Sequence, residues 1–320
     1  MIRISAGSAA SMGLISLKAD VAPTTVYLLH GTGCVMHCAF CPQSRSGGGL
    51  HGRLGRITWP TFNRSVLPDG LRQAEAAGVR RICLQSVRDG GGPAALVQLL
   101  EQLKAVSSLP VSVSTLVESR PEAAAIFEAG AARVSIALDL ANPDLFARYK
   151  GGSFQKKLRL LLDCAHAWPG RMSTHLICGL GETEAAAAAL LDTLLRAGIT
   201  IALFAFTPLK GTPLAGHPQP EPAAYRRLQT ARYLLQHALS SLERFTFAEG
   251  KITSFGLPGE TLAEILKDGE AFRTSGCPEC NRPYYNEKPG GFIYNYPRSL
   301  TATETKIATG TVLSTIINNL

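Results

Sequence analysis

Two hydrophobic rhythms take turns along this chain. Short runs at 24–29, 81–85, 111–115, 133–138, 173–178 and 201–206 are apolar almost throughout. Longer stretches at 69–77, 93–106, 121–129, 154–167, 182–197 and 221–241 carry apolar residues at every third or fourth position. The short runs read as strands buried on both faces, and the long stretches as amphipathic helices. A βα unit repeated in this way, with right-handed crossovers, predicts an α/β fold in which a parallel sheet closes into a partial or full barrel with the helices outside. Beyond the sixth helix the rhythm fades to an edge strand near 244–247 and a helix over 259–272. From Thr274 to Arg298 the chain is rich in Cys, Pro, Gly and Tyr, and a long connection of that kind is commonly functional. Residues 301–320 are weakly amphipathic, fitting a terminal helix or a frayed end.

Composition narrows this picture in three ways. With 46% hydrophobic residues the chain has ample core, yet no apolar run reaches the length of a membrane span. The start of the chain, 1–22, reads as a leader too broken in its apolar pattern for a signal peptide, so a cytoplasmic protein is expected. The net charge of +8 comes from scattered basic residues without an aromatic stripe, which argues against nucleic acid and reads first as a bland basic surface, with an acidic carrier protein as the second reading. Eight cysteines in a reducing compartment point to metal or redox chemistry, because a chain of 320 residues needs no disulfide staples.

The cysteines fall into distinct groups. Cys34, Cys38 and Cys41 follow the first strand with CxxxCxxC spacing. Three thiolates hold three corners of a [4Fe–4S] cluster and leave the fourth iron for a ligand that is not protein. Cys83 falls within the second strand and Cys178 at the end of the fifth, and the C-terminal ends of barrel strands are where function gathers. Cys277 and Cys280 form a CxxC pair in the irregular C-terminal segment, which fits zinc, redox or iron–sulfur use. That segment is expected to fold across the barrel mouth, with Arg282, Tyr284, Tyr285, Tyr294 and Tyr296 lining a substrate entrance or packing as a cap. Cys164 lies on a helix and reads as a small buried hydrophobe. The glycine-rich turn at 89–92 after the second strand could face a cofactor, although a loop opening the next helix explains it equally well.

The cysteine triplet, with an aromatic residue before its last member, resembles the cluster loop of the radical S-adenosylmethionine (SAM) superfamily. The continuation Cys38-Ala-Phe-Cys41-Pro-Gln and the segment Cys178-Gly-Leu-Gly-Glu-Thr183 are similar to the biotin synthase-like branch, over roughly residues 24 to 240. The resemblance implies a TIM-like βα barrel at 23–272 with a cysteine-containing C-terminal extension, whose open iron chelates SAM and releases a 5′-deoxyadenosyl radical. It implies that Asp139 lies near SAM and that Cys83 and Cys178 serve an auxiliary cluster; the backbone beside Phe40 and the carboxylate of Glu182 could complete the SAM pocket, although a cap on the fifth helix explains Glu182 equally well. Biotin synthase has a third-strand cysteine where this chain offers only hydroxyls in Ser112-Val-Ser-Thr-Leu116, and it lacks the segment around Cys277 and Cys280. The Gly-rich start and the cysteine segment resemble the split, two-protein lipoyl synthase. That likeness implies sulfur insertion into an octanoyl chain on a lipoyl carrier protein, with a sacrificial auxiliary cluster, expected as [4Fe–4S], bound by residues 273–300. Ser275 is then a candidate oxygen ligand by analogy with classical lipoyl synthase. A paralogous radical SAM partner and a ferredoxin or flavodoxin electron donor belong to the same expectation. Biotin formation, a carbon-skeleton rearrangement and metallocluster maturation are the alternative chemistries of the branch.

Overall fold

The computed structural model describes residues 1–49, 52–88, 93–287 and 290–316. The glycine turn at 89–92 and the last four residues of the expected terminal helix lie outside them. The alternating pattern gives β2 (Thr25–His30), β6 (Arg81–Ser86), β7 (Val111–Ser114), β8 (Arg133–Ser135), β9 (Met172–Cys178) and β10 (Thr200–Ala205), each parallel to the next. Outside them pack α2 (Leu67–Ala76), α3 (Ala94–Val106), α4 (Arg120–Glu128), α6 (Phe154–Ala167), α7 (Glu184–Arg196) and α8 (Pro222–Gln236). Side-chain caps from Ser119, Ser153 and Thr183 open α4, α6 and α7, each satisfying one of the backbone N–H groups that a helix start leaves unpaired.

The start of the chain departs from the expected leader. Ile2–Ile4 forms β1, antiparallel to β2 on one side and to β5 (Thr61–Phe62) on the other, and Ala6–Ser11 forms α1. All three residues of β1 are buried, so 1–22 is part of the sheet and its core. A short hairpin, β3 (Arg53–Leu54) with β4 (Ile57–Thr58), precedes β5. The sheet order is β10-β9-β8-β7-β6-β2-β1-β5, and among the described residues no ladder joins β10 to β5. The barrel is therefore partial, with a lateral gap.

Other boundaries shift for local reasons. β8 ends at Ser135 rather than 138, because Asp139 takes a left-handed backbone (φ 67°) and makes only an isolated bridge to Leu176. The short helix α5 (Pro143–Tyr149), capped by Asn142, follows it. The edge strand becomes a ribbon of β11 (Thr246–Ala248) and β12 (Lys251–Ser254), and the helix expected to reach 272 stops as α9 (Gly259–Ile265). At the end, α10 (Ala302–Leu313) opens with a capping box between Thr301 and Glu304. No helix among the described residues is long and apolar enough to cross a membrane.

The C-terminal segment fills the lateral gap and the floor of the barrel. Thr24, just before β2, takes Asn281 Oδ1 on its N–H at 3.0 Å, and Arg81 at the start of β6 donates to Pro278 O at 3.1 Å. Both contacts are at the N-terminal ends of strands, opposite the mouth the segment was expected to cross. From there it climbs along β10: Leu203 N–H donates to Ser275 Oγ at 2.9 Å, and Asn286 Nδ2 donates to Ala205 O at 2.8 Å. Arg226 of α8, fully buried, anchors the far end by donating to Tyr294 O at 2.7 Å, with its guanidinium against Phe272, Phe292 and Tyr296. Tyr294 and Tyr296 are thus core residues rather than entrance residues.

Candidate active site

Inside the barrel lies a cavity of about 270 Å³. Cys38, Phe40, Cys41 and Asp139 line one end of it, and Cys83, Cys277, Cys280 and Arg282 line the other. Ile177, Phe204, Phe206, Leu209 and Leu54 supply apolar wall between them.

The upper end is built by the loop after β2. Its ends are tied by Cys34 N–H donating to Gln43 O at 2.9 Å and Val35 N–H to Arg88 O at 2.7 Å. Gln43 is fully buried and takes a hydrogen bond from Arg3 of β1 at 2.8 Å, so the first strand braces the cysteine loop. Cys41 N–H donates to Cys38 O, and Ser44 Oγ donates to Cys41 O at 2.8 Å, which curls the CxxC turn. Burial, with the neighbouring Asp139, Cys41 and Cys34, pushes the Cys38 thiol up to about 12 against the pull of Lys150, and burial pushes Cys41 up to about 11. These thiols hold their protons at neutral pH until a metal displaces them.

Asp139 faces the same end. Its Oδ2 accepts from Lys150 Nζ at 2.6 Å, and Lys150 also reaches Ala137 O. Lys150, in the residue that ends α5, carries no mark in the sequence; only the turn from β8 into α5 brings it under Asp139. Glu182 behaves differently. Its carboxylate accepts from Gly179 N–H at 2.6 Å and Leu180 N–H at 2.9 Å, closing its own turn rather than facing the cavity. Gly179, at φ 99°, is pressed against Pro220, a position where a side chain would collide. Phe40 and Asp139 therefore stand where a cofactor could meet them, and Glu182 does not line that space.

At the lower end, strand register does what sequence spacing could not reveal. Tyr27, Cys83, Ser112 and Arg133 occupy one row across β2, β6, β7 and β8. The C-terminal segment brings Cys277 Sγ to 3.6 Å from Ser112 Oγ and Cys280 Sγ to 3.4 Å from Tyr27 Oη. The Cys83 thiol is pushed far up by burial and by the nearby thiols of Cys280 and Cys277, while Arg282 and Arg81 pull it down. Arg133 feels Cys277 in turn, so Arg282 in the cavity wall, with Arg81 and Arg133 outside it, places positive charge near the three thiols. Neutral thiols gain little from such neighbours, whereas an anionic thiolate-ligated cluster is stabilised by them. Among the described residues no three His, Cys, Asp or Glu side chains are gathered closely enough for a single metal ion. A cluster, whose irons sit at separate corners, does not require that. The residues at both ends thus fit iron–sulfur chemistry.

Two of the expected auxiliary ligands are not brought here. Cys178 alternates away from the inward-facing Ser173, His175 and Ile177 of β9 and is buried in the outer helix–sheet core. The error is one of parity: the side chains of a strand alternate faces, so a cysteine at the strand's last position points away from its neighbour. Ser275 spends its hydroxyl on the edge of β10, accepting from Leu203 N–H, and does not line the cavity. Cys164 is fully buried on α6, as its surroundings suggested. The backbone between Cys277 and Tyr285 is strained, with Glu279, Arg282 and Tyr284 at φ 65°, 35° and 56°. Non-glycine residues in that region cost of the order of 1–3 kcal/mol each and cluster at functional sites.

The partial barrel, its three-cysteine loop and the cavity beneath it define a radical SAM protein. The family model for the radical SAM superfamily matches residues 28–194, and the chain belongs to that superfamily. Within it, the chain is similar to biotin synthases: 29% identity over 216 residues to that of Synechococcus sp. (strain JA-3-3Ab), covering 64% of this chain and 66% of the relative, and 28% over 214 residues to that of Ruegeria pomeroyi, covering 61% and 62%. The match spans just under two thirds of the length of these relatives. In fold the chain resembles the [FeFe]-hydrogenase maturase HydG (TM-score 0.54, 12% identity, 66% of this chain and 50% of that one). It also resembles methylornithine synthase (TM-score 0.52, 16% identity, 67% and 62%). The chain is a radical SAM enzyme with similarity to biotin synthases, and its family implies a [4Fe–4S] cluster and SAM.

Proposed function

We propose that this enzyme inserts sulfur into unactivated C–H bonds of an octanoyl chain carried on a lipoyl carrier protein, as a lipoyl synthase-type radical SAM sulfurtransferase. The observation that carries this reading is that Cys83, Cys277 and Cys280 line one end of a single cavity beside Arg282, opposite Cys38 and Cys41. A rearrangement needs no second, sulfur-bearing site. When bound, the SAM cluster with SAM would supply a hydrogen-abstracting radical and an auxiliary cluster would supply sulfur.

The remaining work falls to the chain. Cys34, Cys38 and Cys41 hold the first cluster; Asp139, fixed by Lys150, and Phe40 hold SAM. Residues 273–300 form the auxiliary segment, which closes the floor of the cavity and keeps water away from the reacting carbon. Ile177, Phe204, Phe206 and Leu209 offer an aliphatic chain apolar contact while leaving its carboxyl end free for the carrier. A ferredoxin or flavodoxin donor and a paralogous radical SAM partner that adds the other sulfur complete the proposal.

The two relatives named biotin synthase favour biotin formation as the second reading. The acceptor separates them. Anaerobically reconstituted protein is given an octanoylated lipoyl carrier domain or free dethiobiotin, with reductant and SAM, and products are read by mass spectrometry. A 32-type mass increment of sulfur on the carrier supports the proposal; sulfur on dethiobiotin alone replaces it with the second reading. Iron content of about eight per chain, falling to about four in Cys277→Ala/Cys280→Ala, is the expected companion result.

A further inference from the structure

The three cysteines of the loop after β2 open onto two different spaces. Cys38 and Cys41 line the central cavity, and Cys34 does not. Cys34 lines a separate, more open groove with Thr32, Gly33, Ser44, Arg45 and Gly49, and the two spaces share no residue. Backbone contacts hold this division: Cys34 N–H donates to Gln43 O at 2.9 Å, Val35 N–H to Arg88 O at 2.7 Å and Arg45 N–H to Met36 O at 2.9 Å. The groove has small walls. A side chain at Gly49 would meet nothing within 4 Å, so the backbone there lies open to a large partner. Thr32 and Arg45, which line the groove, are both exposed.

The charge beside the groove favours one sign. Between Asp20 and Asp69 the chain has no acidic residue, the longest such interval in the sequence, and this stretch carries Arg45, Arg53, Arg56 and Arg64. Gln43, in the groove wall, donates through Nε2 to Arg53 O at 2.6 Å, which brings a second exposed arginine beside it. The Glu118 and Glu122 carboxylates, beyond Val35, are taken up by Arg88. An uncompensated cationic surface steers acidic partners toward it and turns basic ones away.

We infer that this groove is the docking surface for the electron donor, a small acidic protein with a one-electron centre, and that the electron enters past Cys34. The donor's reduced centre gives up one electron to the cluster held by the triplet, and no proton or group moves with it. The inference rests on the radical SAM identity and on the donor named in the proposed function, not on which acceptor receives sulfur. Electron tunnelling falls steeply with distance, so the donor has to come close to the outward-facing cysteine, and a groove walled by glycine permits that approach. Because groove and cavity share no residue, the electron can arrive while the acceptor stays in place. Encounters of this kind need only a small, transient interface.

The test uses full-length, anaerobically reconstituted protein, with a flavodoxin and a bacterial-type ferredoxin as probes. Arg45→Glu and Thr32→Glu are compared with Arg159→Glu, a charge reversal on the exposed face of α6. Titration into ¹⁵N-labelled flavodoxin, followed by NMR, reads binding, and stopped-flow oxidation of the reduced donors reads electron entry. Arg45→Glu and Thr32→Glu should each weaken binding and slow electron entry by about two- to fivefold at low ionic strength, with Arg159→Glu near wild type and the difference shrinking at high salt. Formation of 5′-deoxyadenosine with a small uncharged photoreductant should be unchanged in all three variants. Groove variants that match Arg159→Glu in both readouts overturn the inference. So does a wild type that is reduced by the photoreductant but by neither protein. If Thr32→Glu disturbs the loop and lowers turnover with the photoreductant, Arg45→Glu still decides. The expected donor pattern with no sulfur on any acceptor would sink the sulfur-insertion reading and leave this inference standing.

Discussion

The two thiol-bearing ends of the cavity are made in opposite ways. At the SAM end all three cysteines lie within eight residues of one loop, braced by its own backbone and by Arg3. At the lower end Cys83 comes from the second parallel strand, while Cys277 and Cys280 come from a segment nearly two hundred residues later that enters through the barrel floor. A local site survives most distant changes and is specified by spacing. A site assembled from distant parts depends on register and docking, and can be lost without unfolding the barrel.

The largest effect should therefore come from the most obvious residue. Cys38→Ala is expected to abolish reductive SAM cleavage, read as 5′-deoxyadenosine by chromatography, and with it every downstream product. Cys277→Ala/Cys280→Ala should eliminate the sulfurated product while 5′-deoxyadenosine still forms. Equal loss of both products in the two variants would erase the proposed division of labour.

That asymmetry also explains what could be read from the chain before its fold was known. The triplet was legible because its three donors are neighbours in sequence, and the βα rhythm because apolar periodicity is a local signal. β1 was missed because the short Ile2-Arg3-Ile4 followed by a small-residue helix resembles a leader. Cys178 was misassigned because strand parity decides which face a residue takes, and one position of error reverses it. The positive charge near these thiols was invisible, since Arg81, Arg133 and Arg282 approach them only through sheet register and the path of the C-terminal segment.

A second test sharpens the description of the SAM end. Lys150 and Asp139 form a buried pair at 2.6 Å, with side chains only 8% and 12% exposed. Lys150→Met strands the Asp139 carboxylate and should destabilise the fold by about 3–5 kcal/mol, measured by chemical denaturation. Adding Asp139→Asn should recover part of that loss, because the uncompensated charge is then gone. No recovery in the double variant would show that the lysine stabilises by packing on Phe146, 5.4 Å from its ring, instead.

Between the two ends stands His175, its ring 5.3 Å from that of Phe204, with burial lowering its pKa from 6.5 to about 4. The folded protein keeps this imidazole neutral, whereas the unfolded chain protonates it near 6.5. Between these values the unfolded state binds more protons, so the contribution is fully present above about pH 6.5 and is lost as the pH falls toward 4. The cost on acidification is at most about 3 kcal/mol, and less to the extent that water in the cavity screens the charge. His175→Gln should flatten that part of the stability curve; an unchanged slope would assign the acid sensitivity to other groups.

The smallest effects belong to the rim, where the cavity would meet a carrier. Arg53 flanks Leu54 and Gly55 of the wall, Lys210 follows Leu209, and Arg45 lies beyond Pro42; all three cations are exposed. The loop that carries Arg45 also touches the one that carries Lys210, because Gly48 lies against Gly211 O, so that a side chain at Gly48 would collide with it. The Arg45 and Lys210 loops are therefore neighbours. If an acidic lipoyl carrier docks there, Arg53→Glu and Lys210→Glu should each weaken its association by roughly 0.2–1 kcal/mol, acting mainly on the association rate. The loss should shrink at high salt, where wild-type binding weakens as well. Turnover of a short octanoyl peptide, which makes no rim contact, should be unchanged. Equal slowing with peptide and carrier would move the role of these residues from docking to the architecture of the opening, and the carrier would then have to be recognised elsewhere on the barrel.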